Sequence, residues 1–372
     1  MSLLLLLVFV SSAQAAPGAP VNTPFEGPLV AVDTAQQDRI LIYDLGTGTQ
    51  RELTFGTGWQ RVWDFSPDGC RIVFTSSDGS QPASLSTAKL DGSDVQTLVQ
   101  ADGTSGAWEP QWGGDRIAYT FTDEDGKQRI AWINPVTHEN GFYSVTGDEH
   151  TPHWSPDDQQ LVYVSYTNRV AGSDTFSTAE PTRTGQVSTM LSEADLWVVS
   201  VDGSTKYQLT NFPVGNVSMP RWSPDGDLIG FVYSPSANND QFWMIGVSRD
   251  AVPTQLSYQY ALALDLTWLP DSTAMIAAAR DLQNVSENRL WQIPLTGNAD
   301  QNATQYSADT TLSYDDYPRF SPDGTRLALR SEYALALLNT GDKSWTLLDQ
   351  TTLGNTPPVW SPVAFKGEAA CS

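Results

Sequence analysis

The 372-residue chain carries 20 basic and 43 acidic residues, a formal charge of −23, which excludes nucleic acid and anionic membranes as partners because both would repel it. Its 28 Gly and 23 Pro, with 13 each of Trp, Tyr and Phe, exclude a mainly helical protein and describe short strands joined by tight turns. The acidity leaves two readings, simple solubility or a cationic partner.

In chain order, Leu3 to Val10 form an apolar run and Ala13-Gln14-Ala15 a cleavage signal. These predict a signal peptide over residues 1–15 and a periplasmic or secreted mature protein beginning at Ala16. No Lys or Arg precedes the run, a departure from the usual pattern, and no Cys follows the cleavage site to take a lipid. Residues 16–27 read as a flexible leader, 28–366 as a single repeat domain and 367–372 as a tail. No later stretch is long and apolar enough to span a bilayer.

The organising feature is an internal repeat. Phe65 to Gly69 and Phe320 to Gly324 read Phe-Ser-Pro-Asp-Gly; Trp222 to Gly226 reads Trp-Ser-Pro-Asp-Gly, and Trp154 to Asp157 its first four residues. Degenerate copies begin at Trp112, Trp268 and Trp360. Pro presets the turn, Asp bonds it locally and Gly closes it where φ is positive. An alternating apolar strand follows each copy, as in Arg71-Ile72-Val73-Phe74. Further on come a third strand such as Asp195 to Val199, an Asp202-Gly203 turn, and a fourth strand ending in Gln208-Leu209-Thr210. That succession is one four-stranded antiparallel blade, and blades stack until a ring closes. Three strands before the first copy (Leu29–Val32, Arg39–Tyr43, Gln50–Thr54) and one around Trp360 share a blade from both chain ends, giving an all-β, seven-bladed β-propeller. Six blades with one irregular repeat is the alternative.

The recurring aromatic-Ser-Pro-Asp-Gly turn and the Leu-Thr blade ending resemble the TolB-type (WD-like) propeller repeat, over nearly all of residues 28 to 365. The resemblance implies a bacterial envelope protein, in which Asn216-Val217-Ser218, Asn284-Val285-Ser286 and Asn302-Ala303-Thr304 are not expected to be glycosylated. It transfers no activity: related propellers in prolyl oligopeptidases sit beside a hydrolase domain that the sequence does not contain.

The turn aspartates Asp68, Asp157, Asp225 and Asp323 are expected to be turn-makers rather than catalytic acids. No G-x-S-x-G, H-E-x-x-H or C-x-x-C occurs, and the histidines are His138, His150 and His153. The candidate binding surface is the mouth opposite the turns, with Arg61, Trp108, Glu109, Asp148, Glu149, His150, Asp265, Asp315 and Asp316. Acidic and aromatic, it suits a cationic peptide or leaves room for a divalent cation, with no cofactor otherwise expected. Extra chain between Tyr166 and Asp195, ending near Met190 and Leu191, is expected to fold beside that mouth. Cys70 and Cys371 fall on one face in neighbouring blades, either as a disulfide or as two thiols. The leading function is a monomeric, non-catalytic scaffold binding a protein or peptide in the envelope. A hydrolase or lyase using mouth carboxylates, or an accessory sensor subunit of a membrane complex, are the alternatives.

Overall fold

The computed structural model describes residues 23–79, 82–144, 147–168, 193–237, 239–258, 262–280, 288–307, 314–349, 353–354 and 356–371. The signal peptide and most of the chain between Tyr166 and Asp195 lie outside them.

The described residues form seven four-stranded antiparallel sheets. Six sheets take their strands in chain order, and the seventh places Val359–Trp360 beside Leu29–Asp33, followed by Ile40–Asp44 and Thr49–Leu53. The chain is a seven-bladed β-propeller whose closing blade takes strands from both ends of the repeat array. The first strands of the blades meet one another around the whole ring and line its axis: Trp59–Phe65, Gly106–Gly113, Asp148–Trp154, Asn216–Trp222, Ala263–Trp268, Asp315–Phe320 and Val359–Trp360. The hydrophobic clusters lie between neighbouring blades, as with Val162, Leu196 and Phe231 across the third and fourth. No described helix is long and apolar enough to cross a membrane.

The turn chemistry repeats almost atom for atom. In the turns at Ser66, Ser155, Ser223 and Ser321 the serine hydroxyl donates to the aspartate two residues on, at 2.5–2.6 Å. The same carboxylate accepts the backbone N–H two residues further, from Cys70, Gln159, Asp227 and Thr325. Each aspartate is consumed by its own turn, and these bonds hold the carboxyls of Asp157, Asp225 and Asp323 below the usual carboxylate range.

The motif tryptophans join blades. The indole N–H of Trp154, Trp222, Trp268 and Trp360 donates to the backbone oxygen of Gln111, His153, Arg221 and Arg319, each in the preceding blade, at 2.8–3.2 Å. Phe65 and Phe320 have no such donor; the first and second blades are joined by Asp64, which accepts from the Trp112 backbone N–H at 2.9 Å.

The closing blade is tied on several levels. Cys70 and Cys371 are joined by a disulfide across 301 residues of chain. Glu368, in a short 3-10 turn (Glu368–Cys371), pairs both carboxylate oxygens with Arg51 at 2.8 and 3.1 Å and accepts from the Phe25 N–H at 2.9 Å. Arg51 also donates to Leu90 and Thr23 carbonyls and lies 4.1 Å over the Phe25 ring. The packed unit therefore runs beyond the 28–366 bounds read from the repeat. Phe25 is 2% exposed, so the leader is fixed from Thr23 onward, and the tail is held as far as Cys371. Phe365 fills the space beside Gly27 and Gly69, both at positive φ (76° and 75°), where an added Cβ would sit 2.6–2.8 Å from its atoms.

Candidate functional site on the propeller axis

The axial strands are not regular. Glu109, Thr151, Met219 and Tyr317 have φ of 48–56°, each three residues before the motif aromatic and each followed by Pro. Register shifts fall there, between Trp108 and Gln111, His150 and His153, Ser218 and Arg221, and Asp316 and Arg319. Proline cannot donate to the ladder, so the strand bulges and turns the next side chain toward the axis. Left-handed backbone at four non-glycine positions is a cost that persists because the ring holds it in place.

The residues expected at the mouth opposite the turns belong to these strands, and most are covered by neighbouring blades. Arg61, Glu149, Asp265, Asp315 and Asp316 are buried, while Trp108, Glu109, Asp148 and His150 are half-buried. They separate into local groups. Trp108 stacks on Trp59 at 5.5 Å, and Arg61 lies 5.3 Å over the Trp59 ring. Glu109 accepts from the Thr151 N–H at 3.1 Å, joining the second and third blades. Asp148 accepts from the Gln128 N–H at 3.0 Å, and His150 stacks on Tyr166 at 4.8 Å. Glu149 is bonded by the Ser144 hydroxyl and lies 3.8 Å from Lys206; burial raises its pKa.

Asp316 pairs with Arg330 at 2.8 Å and accepts from Asn288 at 3.2 Å, while Arg330 lies 4.9 Å over Tyr317. Asp315 accepts from the Ser331 hydroxyl at 2.7 Å, and burial raises its pKa to about 6. Sequence reasoning missed Asp33, at the end of a closing-blade strand. It is 1% exposed, neither carboxylate oxygen has a hydrogen-bond partner among the described residues, and burial lifts its pKa to about 7 against the pull of Arg61 and Arg330. Among the described residues no three His, Cys, Asp or Glu side chains gather as a metal site would require.

Among the described residues, an open part of the axis lies at the other end, beside the Ser-Pro-Asp-Gly turns. The residue immediately before each motif aromatic forms an axial set: Asp64, Gln111, His153, Arg221, Thr267, Arg319 and Val359. Between the third and sixth blades this set opens into a cleft of about 310 Å³ lined by His153, Arg221, Thr267 and Arg319. The aromatics Trp222, Trp268 and Phe320 and the prolines Pro224, Pro270 and Pro322 form its rim. Arg221 and Arg319 converge on one carboxylate, Asp265, at 3.3 and 2.7 Å. Each guanidinium also donates to the carbonyl of the proline before it, Pro220 at 3.1 Å and Pro318 at 2.7 Å. Burial, with the charges of Arg221 and Arg319, depresses the His153 pKa to about 3, so this imidazole is neutral at ordinary pH.

Asp64 stands apart from that basic arc. It accepts from Phe65 and Trp112 N–H groups at 2.8 and 2.9 Å, and burial raises its pKa from 3.8 to about 7. A carboxyl that holds its proton more tightly when folded makes the native state the greater proton binder between those two values. Its contribution therefore favours folding at low pH and is lost as pH rises from about 4 to about 7. Urea unfolding of wild type and Asp64→Asn across that range should show the variant gaining stability relative to wild type with rising pH, by up to about 1.4 kcal/mol per unit. A difference that does not change with pH would refute the assignment.

Among the described residues, the fold and site thus define a seven-bladed propeller with buried carboxylates toward one end of its axis and a small basic cleft at the other. No family model matches the chain. A curated relative, an uncharacterized protein of Agrobacterium fabrum, is 28% identical over 136 residues, covering 33% of this chain. The chain spans under half, 45%, of that relative's length. Solved structures that share the fold include a puromycin hydrolase mutant complexed with PGG (TM-score 0.62, 12% identity, 87% of this chain and 54% of that one). An oligogalacturonate lyase in complex with manganese gives 0.55 at 12% identity, over 87% and 85% of the two chains. TolB from Acinetobacter baumannii gives 0.49 at 15%, over 95% and 89%. At these identities the likeness is one of fold.

Proposed function

We propose that the chain is a non-catalytic scaffold of the cell envelope that binds a protein or ligand at one end of its propeller axis. The observation that carries this reading is the open cleft among four axial strands, whose two guanidiniums are held in place by Asp265 rather than turned on a nucleophile. His153 at about pKa 3 is a poor general base. The signal-type sequence at residues 1–15 supports an envelope location. The same scaffold could serve as an accessory subunit of a membrane complex.

An enzyme is the second reading, favoured by the raised carboxyls of Asp33 and Asp315. Their exposures of 1% and 0% speak against substrate contact.

Immobilised protein is expected to retain an envelope component saturably, with soluble protein competing for it. Incubation with oligogalacturonates and with peptide substrates should yield product only at the buffer rate. Turnover abolished by Asp33→Asn or Asp315→Asn would replace the scaffold with the enzyme. Failure of any envelope component to bind saturably would remove the scaffold reading.

A further inference from the structure

The basic cleft points to the chemical class of what is bound there. Arg221 and Arg319 come from the fourth and sixth blades and reach across Thr267 of the fifth. Their side chains retain 16% and 21% exposure, whereas the carboxylate that joins them, Asp265, retains 4%. Asp265 lies two residues further along its strand from the turn than Thr267 and holds from behind the two guanidiniums that line the cleft. Two cations face the one anion Asp265, with Glu109 a further carboxylate acting on Arg221, in a chain whose net charge is −23. Each guanidinium has five N–H donors, more than Asp265 and a proline carbonyl use. His153 beside them is neutral, and its Nδ1–H donates to the Trp154 carbonyl at 3.0 Å, so its Nε2 is an acceptor and the two guanidiniums alone supply charged donors.

We propose that this cleft is a binding site for a single carboxylate carried on a peptide segment, held between Arg221 and Arg319. The inference rests on the scaffold reading and specifies its ligand. Charge-assisted bonds from two pre-positioned guanidiniums suit a carboxylate. A polyanion is disfavoured because the turn aspartates Asp225 and Asp323 stand exposed just outside the rim. A peptide is favoured over an acidic sugar because Trp222 and Trp268, though at the rim, are 6% and 4% exposed, which leaves the half-buried Phe320 as the one accessible ring among the described rim residues. Pro224, Pro270 and Pro322 are exposed instead, a small apolar rim fitted to a peptide backbone.

The test uses the blocked peptide acetyl-Ala-Ala-Glu-Ala-Ala-amide, its glutamine counterpart and trigalacturonate, with the indole N–H signals of Trp222 and Trp268 followed by NMR. The glutamate peptide should shift both signals saturably, with at least tenfold tighter binding than the glutamine peptide and weakening as salt is added. Thr267→Glu would place a carboxylate between the two arginines without removing a partner of Asp265. It should weaken the glutamate peptide at least tenfold, while Thr267→Gln, of similar size, should weaken it less than threefold. Equal loss in both variants, equal binding of the two peptides, no saturable shift, or tighter binding of trigalacturonate would each overturn the proposal. If envelope capture persists while the peptide is ignored, the carboxylate site fails and the scaffold reading stands. If capture itself is absent, the scaffold reading fails whatever the peptide does.

Discussion

Trp222→Ala is expected to lower the unfolding free energy by about 3–5 kcal/mol, the usual cost of removing a buried large aromatic side chain. Trp222 is 6% exposed and packs in the cluster shared by the third and fourth blades. Its indole N–H also donates to the His153 carbonyl of the blade before, at 3.2 Å. Trp222→Phe keeps most of the packing and removes only that bond, so it should cost about 1 kcal/mol. Chemical denaturation of the three proteins measures both differences. Equal losses for Ala and Phe would mean that the hydrogen bond, not the packing, secures the blade.

Replacing Cys70 and Cys371 with serine should cost about 2–4 kcal/mol, because the bond restricts the unfolded chain over a long loop. The 301-residue separation puts that loop among the longest the chain could close. The Arg51–Glu368 pair and the packing of Phe365 remain in the variant, so the ring should still close and only its stability should fall. Thermal unfolding of the wild type with and without reductant, beside the double variant, checks this. A wild type whose melting is indifferent to reductant would show that the bond contributes nothing.

The architecture was legible because the turn repeats a whole chemical device. Ser, Pro, Asp and Gly each have one job in it, and seven copies at blade spacing leave little choice of fold. The closing blade was legible for the same reason, since each end of the array lacked what the other supplied. The axial site was harder. Arg61, Glu149, Asp265 and Asp315 precede the motif and on that ground belong to a rim, but the axial strands begin several residues before it: Trp59 already pairs with Ser77 and Asp148 with Tyr166. Residues placed at a mouth are thereby covered by neighbouring blades. The basic cleft was missed although its signal lay within the repeat. In Pro-His-Trp, Pro-Arg-Trp and Pro-Arg-Phe, ending at Trp154, Trp222 and Phe320, the middle residue is the side chain turned to the axis. Asp33 has no signal in the repeat at all, because its environment comes from Arg61 and Arg330 in other blades.

The shared closing blade also dictates an order of events during synthesis. Its strands Leu29–Asp33, Ile40–Asp44 and Thr49–Leu53 emerge first, yet the edge of Leu29–Asp33 stays open until Val359–Trp360 arrives. Every other blade can pair its own four strands as they appear, from local contacts. The earliest-made blade is therefore the last to be finished, and an exposed strand edge of this kind invites pairing with another chain. A nascent chain stalled before residue 359 would present six finished blades and one adhesive edge.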